Sequence, residues 1–487
     1  MSEEANAENA SDTVASALRD LAAAVVGLDD WHLIRDWALK GGGEFHIPPQ
    51  LSELDSYRAA GTSLAADERL AALVNEDLPD RPIVRVGLYG VQLRASLLPA
   101  GMIASAIVQC CLREPYTDWP APTVLGDVLA ENLNALQQIA TRRAVALPCL
   151  AGARGVRLRP GQASLETVLG TLHSKDAFHV PELAMRSSPD ALVTTTIRTQ
   201  VQVIRENDKK WGSDDPAMEA AKRRLSHLRL ALLLGSAQIT QADVPDWVRT
   251  TITGFTFLLP FAVTPGWLIL TVSGEAAGRD FSAAEQASWV DAARHLSALN
   301  LDNVQLAIDR FLLAATERTS GSDALVDAVV SLDGLFASPG EARLRVGAAV
   351  AWLLEPDSAE ARTQLFKDVG EIYAARSNAV HGNRASRRAG EGMVLDALRL
   401  ALRVLSEVLY SSQWLLDTPK SLDRGLALIL GDHELGQPSG DQPPTPAEVS
   451  IQVLGLDAAV SDGWLRFGGG RGVAVVAERG FGDDSGL

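Results

Sequence analysis

The stretch RTQLFKDVGEIYAARSNAVHG, Arg362–Gly382, admits two readings. As an amphipathic helix it places Leu365, Phe366, Val369, Ile372, Tyr373 and Val380 on one apolar stripe. Gly382 then ends the helix as a left-handed cap, and His381 complements the negative end of the helix dipole. As a functional segment, it sets Arg376 and His381 five residues apart, just ahead of a loop carrying Arg384, Arg387 and Arg388. Those are residue types that handle protons and phosphates.

Helical signals surround this segment. From about Ser282 to Leu416, runs such as NVQLAIDRFLLAATERTS, SDALVDAVVSLDGLFAS and MVLDALRLALRVLSEVLYSSQWLL carry apolar residues three and four apart. Polar, Gly or Pro breaks separate them, which predicts an antiparallel helical bundle over 282–416. After Asp417 the Pro-, Gly- and Asp-rich text predicts a linker over 417–447, then a short β-like tail over 448–487. Within that tail, GGGRG at Gly468–Gly472 lacks the GK[ST] ending of a phosphate loop and reads as a tight turn.

The region 13–281 predicts a mixed α and β domain. Residues 1–12 read as disordered, and Thr13–Leu39 as helical. Pro82–Leu98 has strand character, while Gly101–Leu112 fits either a buried helix or a strand. Ala191–Glu206 predicts a strand with Val193, Thr195, Ile197, Thr199, Val201 and Val203 on one face. Ala217–Ser236 predicts a helix. Thr250–Gly274 carries no charge and is long enough to cross a bilayer. Pro260 and the TPG at Thr264–Gly266 make two strands joined by a turn the better reading. The fold class expected for the whole chain is therefore α+β.

Composition narrows the function. The chain has 487 residues, 47% hydrophobic and 22% charged, as expected for a globular protein of more than one domain. A net charge of −17 opposes broad, sequence-blind coating of nucleic acid. Between Tyr373 and Arg403, however, six arginines face only Glu391 and Asp396, a small basic site or a solvated loop. Cys110, Cys111 and Cys149 suit neither a disulfide framework nor a CxxC zinc site. His173 and His179 beside Asp176 lack further ligands in a metal pattern, so ordinary surface or core histidines are expected, with no metal and no cofactor. The opening MSEEANAENASDTV has neither the basic nor the apolar region of a signal peptide, which predicts a cytoplasmic protein with no membrane association.

The string Tyr373-x-x-Arg376-Ser377-Asn378-x-Val380-His381-Gly382 resembles the YxxRSxxVHG signature of the Apea-like branch of the HEPN superfamily. LAIDRFLLAA (Leu306–Ala315) is similar to that family's helix with an RF pair, and DALVDAVVSLDGLF (Asp323–Phe336) to its D-x-I-I-A-L-E-x-L helix. Glu341 and Arg345 also fit. Where relatives carry Glu, this chain has Asp333, whose shorter side chain weakens pairing with an arginine such as Arg345 or Arg376.

The resemblance implies a metal-independent endoribonuclease with Arg376 and His381 catalytic. Tyr373, Ser377, Asn378, Gly382 and Asp333 would support them, and Arg384, Arg387 and Arg388 would hold RNA, tRNA included. It also implies a homodimer, a place in anti-phage defence, and an N-terminal region that senses a trigger ligand or phage protein. Some members of the superfamily are silent modules that dimerise or bind a nucleotide or partner, and that is the alternative reading. The chemistry suits the residues. A base removes the ribose 2′-OH proton, the oxygen attacks phosphorus, and an acid protonates the leaving 5′-oxygen. Histidine titrates near working pH, and arginine holds phosphate oxygens with a fixed fork of donors. Five residues turn an ideal helix through about 140°, so Arg376 and His381 do not share a face of one continuous helix. Either the chain breaks at Gly382 or two chains build the site across a two-fold axis, the arrangement the family favours.

Overall fold

The computed structural model describes residues 2–39, 47–74, 82–86, 89–113, 120–175, 189–205, 215–234, 251–263, 268–269, 279–337, 340, 342–380 and 390–431. The chain is α+β and divides into two compact units. Described residues 2–299 and 315–319 form the first, and 300–314 with 320–431 form the second.

In the first unit, α1 (Ser2–Val26), α2 (Trp31–Leu39), α3 (Pro49–Ser52), α4 (Asp55–Ala66) and α5 (Ala71–Val74) lead into a hairpin of β1 (Pro82–Val86) and β2 (Tyr89–Gln92). The first helix begins at Ser2, where disorder over 1–12 was expected. Its opening text is rich in Ala and Glu, which favours helix and complements the positive end of the dipole. Next come α6 (Leu98–Arg113) and α7 (Pro122–Ala140), so the ambiguous run at Gly101–Leu112 is a buried helix.

The main sheet is built from β3 (Ala144–Arg154), β5 (Ser164–Thr167), β6 (Gly170–Ser174), β7 (Ala191–Gln200), β9 (Thr251–Leu259), β10 (Ala262–Val263) and β11 (Leu268–Ile269). Its order is β10-β9-β3-β7-β6-β5, with β11 also on β9, and neighbouring strands are antiparallel. Outside it, β4 (Val156–Arg157) pairs with β12 (Arg279–Asp280), and β8 (Gln202–Arg205) joins β1. The strand expected over Ala191–Glu206 is thus split between two sheets at Val201, with Val193, Thr195, Ile197 and Thr199 buried on one face of β7 as the alternation requires. The uncharged Thr250–Gly274 stretch supplies β9–β11, and no helix among the described residues is long and apolar enough to cross a membrane.

On one face of the sheet, Leu150, Leu192 and Leu258 pack with Leu39 of α2 and Val108 and Leu112 of α6. α8 (Pro216–Leu234) packs against β7, and α9 (Ala283–Ala298) packs against α8 and β5. The helical bundle expected from Ser282 therefore begins one helix later, at Asn300.

The second unit comprises α10 (Gln305–Leu312), α11 (Gly321–Phe336), α12 (Ala342–Leu354), α13 (Ala359–Val380), α14 (Gly390–Tyr410) and α15 (Ser421–Leu430). α11 lies at its centre and packs against each of the other five. Its start is capped by Ser320, whose side chain accepts from Asp323 N, and its interior is Ala324, Leu325, Ala328, Val329, Leu332, Leu335 and Phe336. Buried Asp327 pairs with Arg310 of α10 at 3.0 Å.

At the other end of α11, Arg424 is almost wholly buried, at 1% exposure, yet it faces no carboxylate at hydrogen-bond distance among the described residues. Its guanidinium instead donates to Leu335 O (2.9 Å), Gly334 O (2.8 Å), Thr418 O (2.6 Å) and Pro419 O (3.2 Å). Two of these are the otherwise unpaired carbonyls that end a helix, where positive charge is favoured. Gly425 lets α15 approach so closely, since a Cβ there would lie 2.9 Å from Phe336 O. The linker expected over 417–447 thus contains a packed helix. Its apolar spacing over SLDRGLALIL was masked by the surrounding Pro and Gly.

Arg424→Met keeps the volume and removes all four donors. It should cost the second unit about 3 kcal/mol, because charged hydrogen bonds are lost and buried carbonyls are orphaned. Urea denaturation followed by circular dichroism would measure this, and a loss under about 1 kcal/mol would contradict the assigned role.

Candidate functional site

α13 forms where its sequence alternates a stripe of Leu365, Val369, Ile372 and Tyr373 with charged residues. Ser358 Oγ accepts Ala361 N at 3.2 Å near its start, with Glu360 in the first turn. Arg362 stacks over the Trp352 ring at 4.0 Å and so ties that turn to α12. Phe366 is half-buried, and Val380, expected in the stripe, is 56% exposed at the helix end.

Tyr373 turns its ring into the bundle and donates through Oη to Asp333 Oδ1 of α11 at 2.5 Å. The shorter side chain of Asp333 was expected to weaken pairing with an arginine such as Arg345 or Arg376, and its hydrogen bond comes from the phenol. Burial raises the Asp333 carboxyl, while the Tyr373 hydroxyl and the nearby Arg376 charge oppose that rise. Burial and the adjacent carboxylate together push the Tyr373 phenol far above its usual range. The pair is thus a neutral phenol donating to a partly desolvated carboxylate.

Arg376 lies one turn beyond Tyr373 and is half-buried. Its Nε is shielded from solvent and donates to no acceptor among the described residues. Its charge acts on Asp333 and Tyr373 without a hydrogen bond to either. Such a cation is held by its surroundings while retaining directional donors, and an anionic oxygen is the natural acceptor for them. Ser377 and Asn378 are exposed on the next turn.

α13 ends at Val380; His381, Gly382, Arg384, Arg387 and Arg388 lie outside the described residues, as do Glu341, Asp176, His179 and the expected β-like tail. Two further arginines of the basic stretch do not face solvent freely. Arg403 pairs with Glu355 at 3.0 Å, and Arg399 is buried at 7% exposure. Both serve the bundle interior, so neither adds to an open basic surface. His173 is a core histidine. Its Nε2 lies 2.7 Å from Thr194 Oγ1, and burial lowers its pKa to about 4. The described residues contain no cluster of three metal-ligating side chains.

No protein-family model matches the chain, and neither the curated proteins nor the solved structures give a match.

Tyr373→Phe should lower stability by about 1–2 kcal/mol, since it leaves a half-buried carboxylate without its donor. Asp333→Asn keeps an acceptor for Tyr373 and removes the titration. Because the Asp333 carboxyl is raised in the folded state, that state binds the proton more tightly than the unfolded chain. The resulting penalty is absent below the unfolded value of 3.8 and grows as pH rises through the folded value. The stability of Asp333→Asn relative to wild type should therefore increase from pH about 4 toward neutrality, as read by denaturation across pH. A flat difference would contradict the assignment.

Proposed function

We propose that the second unit is an Apea-like HEPN domain and that it cuts RNA without a metal. The observation that carries the reading is Arg376, a half-buried guanidinium whose Nε has no acceptor among the described residues, set one turn beyond the Tyr373–Asp333 bond. Buried donors elsewhere, such as Trp289 Nε1, also lack an acceptor among the described residues; what sets Arg376 apart is its charge and its place on the motif turn beside Tyr373. A phosphate oxygen supplies the charge and the geometry that a guanidinium accepts.

In this reading Asp333 and Tyr373 position α13 so that Arg376 projects at a fixed angle. Asp333 is one methylene shorter than the glutamate of the resembled family, and it engages Tyr373, so Arg376 keeps its donors for substrate. Arg376 stabilises the phosphorane as charge builds on the non-bridging oxygens, and His381 moves the proton at the 2′-oxygen or the 5′-oxygen. Ser377 and Asn378 line the same turn, and Arg384, Arg387 and Arg388 hold the RNA backbone. The exposed Val380 beside His381 supports a two-fold contact at the end of α13, where two copies would bring two Arg376–His381 sets into one groove. The first unit serves as the regulatory region, in anti-phage defence by the same resemblance.

Arg376→Ala and His381→Ala should each reduce cleavage of labelled single-stranded RNA or tRNA in EDTA by about 100-fold or more, the usual loss for an acid–base or charge-stabilising group. Both variants should keep wild-type circular dichroism. Cleavage equal to wild type in either would place the chemistry elsewhere, and the absence of cleavage in wild type would favour a silent binding module.

A further inference from the structure

The first unit contains an open cavity of about 350 Å³, within the size range of small-molecule sites. It forms where the sheet is locally incomplete. β6 pairs with β7 only as far as Thr171↔Thr194, and the turn between β5 and β6 then folds back. Gly170 permits that approach, since a Cβ there would meet Thr194 O at 2.5 Å. Thr195 bridges the gap by donating to Leu169 O at 2.6 Å. Beyond it no described strand pairs with this edge of β7; α6 packs on one face of the sheet and α8 on the other.

Arg224 of α8 reaches into this notch. Its Nε donates to Thr195 Oγ1 at 3.1 Å and its Nη2 to Val168 O at 2.8 Å. Both acceptors are neutral, and no Asp or Glu pairs with Arg224 among the described residues. Burial alone shifts its pKa, downward, with no opposing carboxylate. The described lining holds two arginines and no acidic residue, although the chain carries a net charge of −17. The other arginine, Arg113, is tied to Glu131 on the cavity rim. Among the described residues Arg224 is therefore the cavity's uncompensated cation, aimed by two hydrogen bonds through Nε and Nη2.

The remaining lining has two characters. Thr171 and Thr196 offer hydroxyls, whereas Leu112, Pro148 and Leu258 give an apolar wall. At the floor, Gln109 is buried at 4% exposure and spends its Nε2 on Ser105 Oγ and Asn132 Oδ1, both at 2.9 Å. Its Oε1 accepts nothing from the described residues. A molecule with an oxyanion at one end and a donor-bearing, partly apolar body would satisfy each of these groups.

We propose that this cavity binds a small organic oxyanion, with Arg224 as its anchor and Gln109 as the acceptor for its body. The inference stands apart from RNA cleavage, since it concerns the first unit alone.

Titration calorimetry on the full chain tests it, with inorganic phosphate, adenosine 5′-monophosphate and succinate as probes. At least one should bind saturably to wild type. Binding by the phosphates alone would identify a phosphate end, and binding by succinate alone a carboxylate end. Arg224→Gln should weaken that binding about tenfold or more, the effect of losing a charged hydrogen bond. Thr196→Tyr, at an exposed lining position that leaves Arg224's bonds intact, should weaken it too by filling the cavity. It decides alone if Arg224→Gln fails to fold. No binding of any probe, or equal binding in wild type and the folded variants, would overturn the proposal.

Discussion

The second unit depends on how one helix ends. α11 packs against α10, α12, α13, α14 and α15, and its final carbonyls would be orphaned inside the bundle were they not taken up by Arg424. That contact fixes Gly334 and Leu335, and hence the side chain immediately before them, Asp333. Asp333 in turn receives the Tyr373 hydroxyl, which sets the rotation of α13. Arg376 follows one turn later. A buried cation at one end of the bundle thus orients a half-buried cation at the other end of a short chain of contacts, in which Arg424 and Tyr373 are satisfied at close range and Arg376 acts through its charge. Buried polar chains of this kind tolerate little, since removing any member leaves its neighbour unsatisfied.

Electrostatics assigns the arginines different duties. Arg310 and Arg403 are paired with Asp327 and Glu355, and Arg424 is solvated by backbone carbonyls. These hold the bundle together. Arg376 differs because the carboxylate near it is already occupied by a phenol. The first unit repeats the theme with Arg224, which is aimed by neutral acceptors and lacks a counter-charge among the described residues. In a strongly acidic chain, unmatched and partly buried cations are the places where anionic ligands find an energetic reason to bind.

Much of the architecture was legible from periodicity. The helices of the second unit follow the spacing of three and four, and β7 follows strict alternation up to Thr199. What failed to show in the sequence depended on distant contacts. α15 sits in text that reads as linker, and only the burial of Arg424 and the close fit at Gly425 make it a structural helix. The start of the second unit was misplaced by one helix because α9 also buries residues three and four apart (Gln286, Trp289, Ala293, Leu296), while its partner, α8, lies far upstream. At the candidate site, Arg376, Tyr373 and Asp333 were legible as a motif. The Tyr373–Asp333 bond was not, because helical spacing gives a face but not the partner across it. The cavity around Arg224 draws on α6, β3, the β5–β6 turn, β7 and α8, which no local pattern connects.

The central claim is that the ribose 2′-hydroxyl, activated beside Arg376 and His381, breaks the RNA chain. The most direct measurement is the chemistry of the ends left when the purified wild-type chain cuts a defined RNA in EDTA. Mass spectrometry of the fragments should find 2′,3′-cyclic phosphate with 5′-hydroxyl, and a single 2′-deoxy substitution at the cut position should abolish that cut. Fragments ending in 3′-hydroxyl and 5′-phosphate, or cleavage that survives the deoxy substitution, would contradict it, because water and not the ribose would then be the nucleophile.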